Sequence, residues 1–464
     1  MAKFLPAAGY RNGSSLNNAG SNGNYWSSSL NSDNSWNAYN MNFNSGNHNV
    51  NNNNRYNGRS VRPVTEFAEE QQLLLPFDFS EDEQFSTTPA QLLLDLYKAY
   101  KEARRHKRRK EYQVSFEMNI EEELIALRDS ILSKSYCPGE STCFIIHDPK
   151  MREVFAAQFR DRIVHHLLYS YLAPLLEEEF IQDSYSCIKG RGTHYGISRL
   201  QEKIRQVSHN WSRPCYILKL DIVGYFMHIN RNQLLAICLE SLQKHKERID
   251  YPLIEYLLTV TVLDNPIEHC CLMGQTSDWD DLPSTKTLFC SPPGCGLPIG
   301  NLTSQLFSNV YLNLFDHFMA SLAGAGNYGR YVDDAYVVGE RASDLRRLIP
   351  AAAGFLKERL GLALANDKLA IYSAYRGVEF LGAYIKPFRK YVASKSLARM
   401  ARKLAGLRNM PPDRRFCSIN SFLGITSHFR SYNIRSRWIR GPVRYLFRDG
   451  YFTSGILTYK VSIK

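Results

Sequence analysis

The chain has 464 residues, with 57 Lys and Arg against 45 Asp and Glu, which leaves a net charge of +12. That length can bury several cores, and the basic surplus excludes an acidic solvating class and favours a polyanionic partner. No apolar run approaches the ~18 residues that span a bilayer, and the opening MAKFLPAAGYRNGSS has no signal-peptide core, so a cytoplasmic protein is expected. Ten cysteines without regular spacing read as reduced thiols.

Composition breaks near Val64: 18 Asn fall in the first 64 residues and only 13 in all the rest. The Asn-rich stretch is nearly free of Leu, Ile and Val, so composition predicts a poorly ordered segment over 1–64. Ordinary globular sequence begins near Gln71. PAQLLLDLYKAYKEARRHKRRK reads as an amphipathic helix running into a basic stretch, and NIEEELIALRDSILSK as a second helix with an acidic start. CFIIHDPKMREVFAA alternates around Asp148-Pro149 and predicts a hairpin. FRDRIVHHLLYSYLAPLLEEEF is a long helix, on which His165-His166 reads as a helix-face pair. A basic Gly-containing loop, CIKGRGTH, opens the next helix.

YILKLDIVGYF is apolar on both faces, as a buried strand is. Residues 231–262 read as helices and 264–295 as irregular. SQLFSNVYLNLFDHFMASL is a helix, GRYVDDAYVVG a strand–turn–strand, and LALANDKLAIYS and VEFLGAYIK supply further strands. The remainder reads as helical, with 16 Lys and Arg against two Asp between Lys386 and Gly450. His269, Cys270, Cys271, Cys290 and Cys295 cluster, but adjacent cysteines and a four-residue gap are poor zinc spacing; small buried thiols fit better.

Three carboxylates carry the chemistry. Asp221 ends an apolar strand, and Asp333 with Asp334 sits at the tip of an apolar hairpin, where charge is costly unless paired or metal-bound. Side by side in one antiparallel sheet they would hold two divalent cations for in-line phosphoryl transfer. Oxygen-only ligands suit Mg²⁺, with Mn²⁺ as the alternative. Phe226 would floor the site, and the Gly/Pro-rich GLPIGN would bring backbone amides to a phosphate at a helix start.

LDIVGYF, GLPIGNLTSQ, RYVDD, NDKL and FLG, in that order, resemble the palm motifs of reverse transcriptases. KMREVFAAQFRDRIVHHLL and DSYSCIKGRGTH resemble the finger motifs of the bacterial, group II intron-like branch. Ile299 stands where most of these enzymes carry Gln, and Ser304-Gln305 where Ser-Pro is usual. With SDWDDLPSTKTLF before it, this loop resembles that of diversity-generating retroelements. An apolar side chain there removes hydrogen-bonding capacity beside the incoming nucleotide, which fits error-prone copying of adenines. Phage-defence and retron-type reverse transcriptases are the alternatives.

The resemblance implies an α+β right-hand polymerase with fingers at 65–215, palm at 216–388 and a basic helical thumb at 389–464; nothing beyond the thumb could hold an RNase H domain. Asp221 and Asp333 would hold both metals, Asp334 support them, and the Ile222 carbonyl add a ligand. Phe226 would exclude a ribose 2′-OH. Arg152, with Lys150, would lie against the triphosphate and base, beside Pro298, Ile299 and Gly300, and Lys368 would be the general acid for pyrophosphate departure. Lys189 and Arg191 in the fingers and Arg399, Arg402 and Lys403 in the thumb would contact nucleic acid. Implied partners are template RNA, the primer or cDNA strand, dNTPs and a small basic oligomeric accessory protein, in a bacterial or phage setting. Residues 1–64, with GNYWSSS and GRSVRPV, resemble the closing part of a C-type-lectin-like domain. Asn codons tolerate change at either adenine without creating a stop, so the DNA encoding this stretch is expected to double as the template repeat.

Overall fold

In the computed structural model of the chain, the Asn-rich stretch pairs into antiparallel strands. Gly23–Leu30, Asn37–Phe43 and His48–Asn54 form one three-stranded sheet, with Met41 opposite both Tyr25 and Val50. Tyr10–Asn12 pairs with Ser15–Asn17 and with Gly58–Arg59. The order of residues within the stretch, rather than its composition, fits this pairing. Tyr39, Met41 and Phe43 alternate with Asn40 and Asn42, which is the period of a strand with one apolar face. This stretch belongs to one compact unit, Met1–Glu83, and Gln84–Lys464 forms a second. Besides the strands between residues 10 and 59, the structure describes residues 86–105, 110–148, 150–324, 326–441, 444–447, 450–453 and 458–461. Residues 106–109 of the basic run at 101–110 lie outside them, as do residues 65–85 of the expected fingers.

In the second unit, α1 (Pro89–Ala103) starts where the sequence asks it to. Pro89 occupies the first turn and the Thr88 hydroxyl accepts from the Gln91 amide at 3.2 Å. Its buried face, Leu92, Leu96, Ala99, Tyr100 and Ala103, joins α2 (Ile120–Leu132) and α3 (Phe159–Leu176) in one core. The expected hairpin is present as β1 (Ser141–Ile146) and β2 (Arg152–Ala156). α4 (Thr193–Val207) follows the basic loop, and β3 (Tyr216–Leu220) opens the palm. Residues 264–295, expected to be irregular, instead contribute 3₁₀ turns and β4 (Cys270–Leu272), which pairs in parallel with β1.

β5 (Tyr328–Tyr331), β6 (Asp334–Gly339) and β7 (Ala370–Ser373) complete an antiparallel palm sheet in the order β5-β6-β3-β7. Its strands are apolar on both faces because both faces are covered. Leu218, Leu220 and Val337 join the core of α5 (Leu302–Ala323) and α6 (Ala342–Leu360), while Ile217, Tyr336 and Val338 pack with Ile197, Leu200 and Ile204 of α4. Pairing of Ala335 with Leu220 sets the ends of β3 and β6 in line, so Asp221 and Asp334 occupy the next opposing positions. A smaller sheet, β8 (Val378–Phe380), β9 (Ala383–Lys386) and β10 (Arg389–Val392), leads into the thumb.

The thumb contains α7 (Ser394–Gly406), α8 (Pro412–Ser427) and a short helix, Tyr432–Arg440. It also contains a hairpin, Gly450–Thr453 with Thr458–Val461, where an all-helical end was expected. The side chain of Asn420 explains it: its amide donates to the Tyr459 carbonyl and its oxygen accepts from the Tyr459 amide, both at 2.9 Å, so α8 pins a strand. Among the described residues no helix is long and apolar enough to cross a membrane.

One buried ion pair underlies the palm. Arg330 and Asp316 are each 1% exposed, and the guanidinium engages both carboxylate oxygens at 2.7 and 2.6 Å. Removing one partner strands the other charge in a low dielectric, which costs about 3–5 kcal/mol. Asp316→Ala should therefore lower the urea unfolding midpoint by that equivalent. Asp344→Ala, which loses exposed contacts to Arg347 at 3.9 Å and to the Ser343 hydroxyl at 3.4 Å in a helix's first turn, should stay within about 1 kcal/mol of the parent.

Candidate active site

The carboxylate-bearing hairpin is held under strain. Tyr331 pairs with Asp334, which leaves Val332 and Asp333 as a two-residue turn, and such turns require a left-handed residue. Here that residue is Val332, at φ +56°, a costly conformation for a β-branched side chain. The buried Arg330 restrains it: Nη1 donates to the Val332 carbonyl at 2.8 Å while the rest of the guanidinium grips Asp316. The turn thereby presents Asp333 beside the end of β3.

There the three acids meet. Burial, then the charge of Asp221, push the Asp333 carboxyl above the usual range; the ammonium groups of Lys368 and Lys150 oppose this. Asp334 is raised to about 6, chiefly by burial, although Lys219 donates to its Oδ2 at 3.2 Å; Asp333 and Asp221 add to the rise. Its Oδ1 is buried without a hydrogen bond. Lys368 donates to Asp221 Oδ1 at 2.7 Å. Burial works against the charge on Lys368, but the bond to Asp221 outweighs it and raises its pKa, so the ammonium keeps its proton.

Among the described residues no three His, Cys, Asp or Glu side chains are grouped closely enough to hold a metal ion. The ligand set expected from sequence is thus present as repelling carboxylates, two of them engaged by lysines. The donor chemistry nonetheless fits a hard divalent cation: oxygen donors only, and raised carboxyls whose repulsion a cation relieves. Ile222 lies opposite Leu364 in a bridge whose hydrogen bonds run through the Asp221 carbonyl and the Val223 amide, so that pairing leaves its own carbonyl aside.

The loop at 296–301 is clamped from two sides. The Gly296 and Leu297 amides donate to the Ile229 and Phe226 carbonyls at 2.8 Å, and the Ile299 carbonyl accepts from Phe155 of β2 at 2.8 Å. Gly300, at φ +133°, makes the second contact possible, because a Cβ there would run into the Phe155 carbonyl. Ile299 and Phe226 pack on one cluster, Cys143, Phe155, Met227 and Leu288. Pro298 lines a small cavity together with Asp161, His165 and Thr303.

Sequence reasoning missed the residue that organises this wall. Glu153, 1% exposed, accepts from Trp279 Nε1, Thr287 Oγ1 and the Leu288 amide, each at 2.7 Å. It anchors the 264–295 segment to the strand that carries Arg152. The available signal was a carboxylate at an inward position of an alternating strand. Arg330 was equally hidden inside RYVDD.

The remaining expected site residues divide. Lys150 reaches the field of Asp333, and Arg152 is exposed at the start of β2. Lys189 is exposed, whereas Arg191 donates to the Ile181 and Ser184 carbonyls at 3.0 and 3.1 Å and so braces its own loop. Lys403 pairs with Asp148 at the tip of the finger hairpin. That pairing, with Arg399 and Arg402 nearby, holds the Asp148 carboxyl below its usual range. His165 bonds Thr303 at 2.8 Å and burial lowers its pKa to about 4. His269 pairs with Asp264 at 2.8 Å, and all ten cysteines are free.

A family model described as reverse transcriptase (RNA-dependent DNA polymerase) matches residues 147–385, and one described as a domain of unknown function matches residues 1–64. The chain is 24% identical over 294 residues to Protein YkfC of Escherichia coli (strain K12), covering 56% of this chain and 70% of that protein. Solved structures similar to it include apo telomerase from Candida tropicalis (TM-score 0.40, 12% identity, 65% of this chain and 56% of that one). Another is telomerase from Candida albicans with a fragment of telomeric RNA (TM-score 0.39, 11% identity, 60% and 51%). The chain spans about half the length of these telomerases.

The raised carboxyls have a measurable consequence. Asp334 titrates near 6 when folded against 3.8 for a free carboxyl. Its contribution to stability is complete below 3.8 and lost as the pH rises through about 6. Asp334→Asn, neutral throughout, should gain on the parent in thermal melts as the pH is raised across that window. Millimolar Mg²⁺ should raise the melting temperature of the parent but not of Asp333→Asn; a gap flat with pH would contradict the assignment.

Proposed function

The chain belongs to the reverse transcriptase (RNA-dependent DNA polymerase) family, and on that premise we propose that it is the error-prone polymerase of a diversity-generating retroelement. It copies a template RNA into cDNA with substitutions at adenines, for transfer into a variable gene. Template RNA, primer strand, dNTPs and a small basic accessory protein are its partners on this reading.

Asp221 and Asp333 hold the divalent cations, with Asp334 and the Ile222 carbonyl in support. When bound, these ions supply Lewis-acid stabilisation of the charge that develops during in-line phosphoryl transfer. The chain's own groups do the positioning. Arg152 and Lys150 meet the triphosphate, Phe226 closes the space of a 2′-OH, and Lys368, protonated beside Asp221, supplies a proton to the departing pyrophosphate. Lys189 and the thumb cations Arg399, Arg402 and Lys403 follow the duplex backbone, which makes binding fall steeply with salt.

The observation that carries the retroelement reading is Ile299. Its main chain is fixed by Phe155 and its side chain packs in the Phe226 cluster, so an apolar group is held where an amide would offer hydrogen bonds. The strands of residues 1–64 and their Asn codons fit a protein-coding segment that doubles as the template repeat. A near-identical DNA repeat differing mainly at adenines, and activity in a chain starting near Thr65, are expected.

Sequencing cDNA made by the purified protein on its flanking RNA tests the whole reading. Errors should concentrate opposite template adenine, Ile299→Gln should lower them there more than at other bases, and Asp333→Asn should make no cDNA. Uniform errors would favour the phage-defence or retron-type alternative, and normal synthesis by Asp333→Asn would refute the metal assignment.

A further inference from the structure

Behind the palm, at the end of the sheet away from the carboxylates, the chain displays aromatic rings that its own folding does not need. The β9–β10 hairpin turns through Pro387 and Phe388, closed by the pairing of Lys386 with Arg389. Phe388 sits at φ +58° and is 70% exposed. Gly or Asn would make that turn with less strain, and an aromatic ring in water contributes little to a core. The ring lies 6.0 Å from that of Trp211, the last of three consecutive residues at positive φ, His209, Asn210 and Trp211. Tyr375, 49% exposed, donates its hydroxyl to the Trp211 carbonyl. Tyr384 donates to the Arg376 carbonyl at 2.6 Å, and Lys386 lies 5.5 Å over the Tyr384 ring. Two strained segments thus converge to display two rings among cations.

The charge around them is lopsided. Arg213, Arg376, Lys386 and Arg389 are exposed, against Glu379 opposite Tyr384 and Glu340 near Cys215. The patch is also remote from the carboxylates. Cys215, whose carbonyl accepts from Ala374, enters β3 at one end, and Asp221 leaves it at the other, about 20 Å of extended chain away. A nucleotide held between Asp221 and Asp333 does not reach it.

We propose that this face is a second nucleic-acid site, a platform on which unpaired bases of single-stranded RNA stack on Phe388 and Tyr375 while Arg376, Lys386 and Arg389 take the phosphates. Exposed rings interleaved with cations are what sequence-tolerant single-strand binding uses. The RNA source rests on the reading that the copied strand is RNA; the platform holds a stretch of it outside the polymerising cleft.

The binding measurement uses the full chain and no dNTP, so it stands or falls apart from the polymerase reading; primer extension with dNTPs is assayed separately. A fluorescent unstructured 20-mer RNA is titrated while an excess of unlabelled short template–primer duplex occupies the cleft. Phe388→Gly should weaken RNA binding about 5- to 100-fold, the worth of one stacked base. The same substitution relieves the backbone, so its melting temperature should hold or rise by up to about 3 °C. Lys386→Gln with Arg389→Gln should flatten the salt dependence of binding, and primer extension on a preformed duplex should be unchanged in all variants. RNA affinity within about twofold of the parent for Phe388→Gly would overturn the proposal and leave the face to a protein partner. Loss of extension together with binding would also overturn it, by making the patch part of the cleft. Equal weakening for a DNA 20-mer supports the stacking platform, whereas weakening for DNA alone overturns the RNA assignment.

Discussion

The geometry of the site hangs on the Arg330 guanidinium. A buried ion pair is a poor source of stability, since well-packed apolar residues of the same volume often do as well. What the pair supplies is direction. Two guanidinium nitrogens are committed to Asp316 on α5, and Nη1 is thereby aimed at the Val332 carbonyl. Weaker contacts at 3.3 and 3.4 Å run to Asn309 on the same helix and Ser184 in the finger loop. One planar group therefore sets helix, hairpin and fingers against one another. A lysine would neutralise Asp316, but its point charge has no fork with which to hold the turn as well.

A second constraint fixes the nucleotide wall, and it crosses the same elements. The loop carrying Ile299 is tied to the turn after Asp221 on one side and to β2 on the other, and Gly300 keeps the approach to β2 close. β2 is in turn loaded by Glu153, whose three donors all come from the 264–295 segment. Arg152 and Glu153 are neighbours pointing oppositely, one into solvent and one into the anchor. The 264–295 segment is therefore mechanically continuous with the group expected to meet the triphosphate.

Much of this was legible in order along the chain. Apolar runs with carboxylates at their ends foretold β3 and the hairpin, because only paired strands make such placement tolerable. What was not legible were partners brought together by topology. Arg330 looks like any surface arginine until Asp316 turns inward beneath it. Arg191 looks free for phosphate until two carbonyls of its own loop claim it. The thumb hairpin depends on one side chain, Asn420, reading a strand almost forty residues away. In the Asn-rich stretch, alternation within Tyr39, Met41 and Phe43 carries a strand pattern that a count of Asn does not register.

The basic surplus acquires a different meaning once its partners are known. Lys368 and Lys219 are engaged by Asp221 and Asp334, Lys203 and Arg199 by Asp183, and Lys403 by Asp148 in the finger hairpin. Ligand binding at these places is thus an exchange of partners rather than the filling of an empty field. On the proposed function, a divalent cation would compete with two ammonium groups for Asp221 and Asp334, and a duplex phosphate with Asp148 for Lys403. Such exchanges conserve much of the Coulomb energy, so they add less to affinity than the charge count suggests. They add selectivity instead, because only a ligand that satisfies both released partners displaces the internal pair. On the proposed function, a nucleotide with its metal would do this at the palm, the cation going to the carboxylates and the phosphates to the freed lysines. Neither component would do so alone, which would couple metal occupancy to the arrival of substrate.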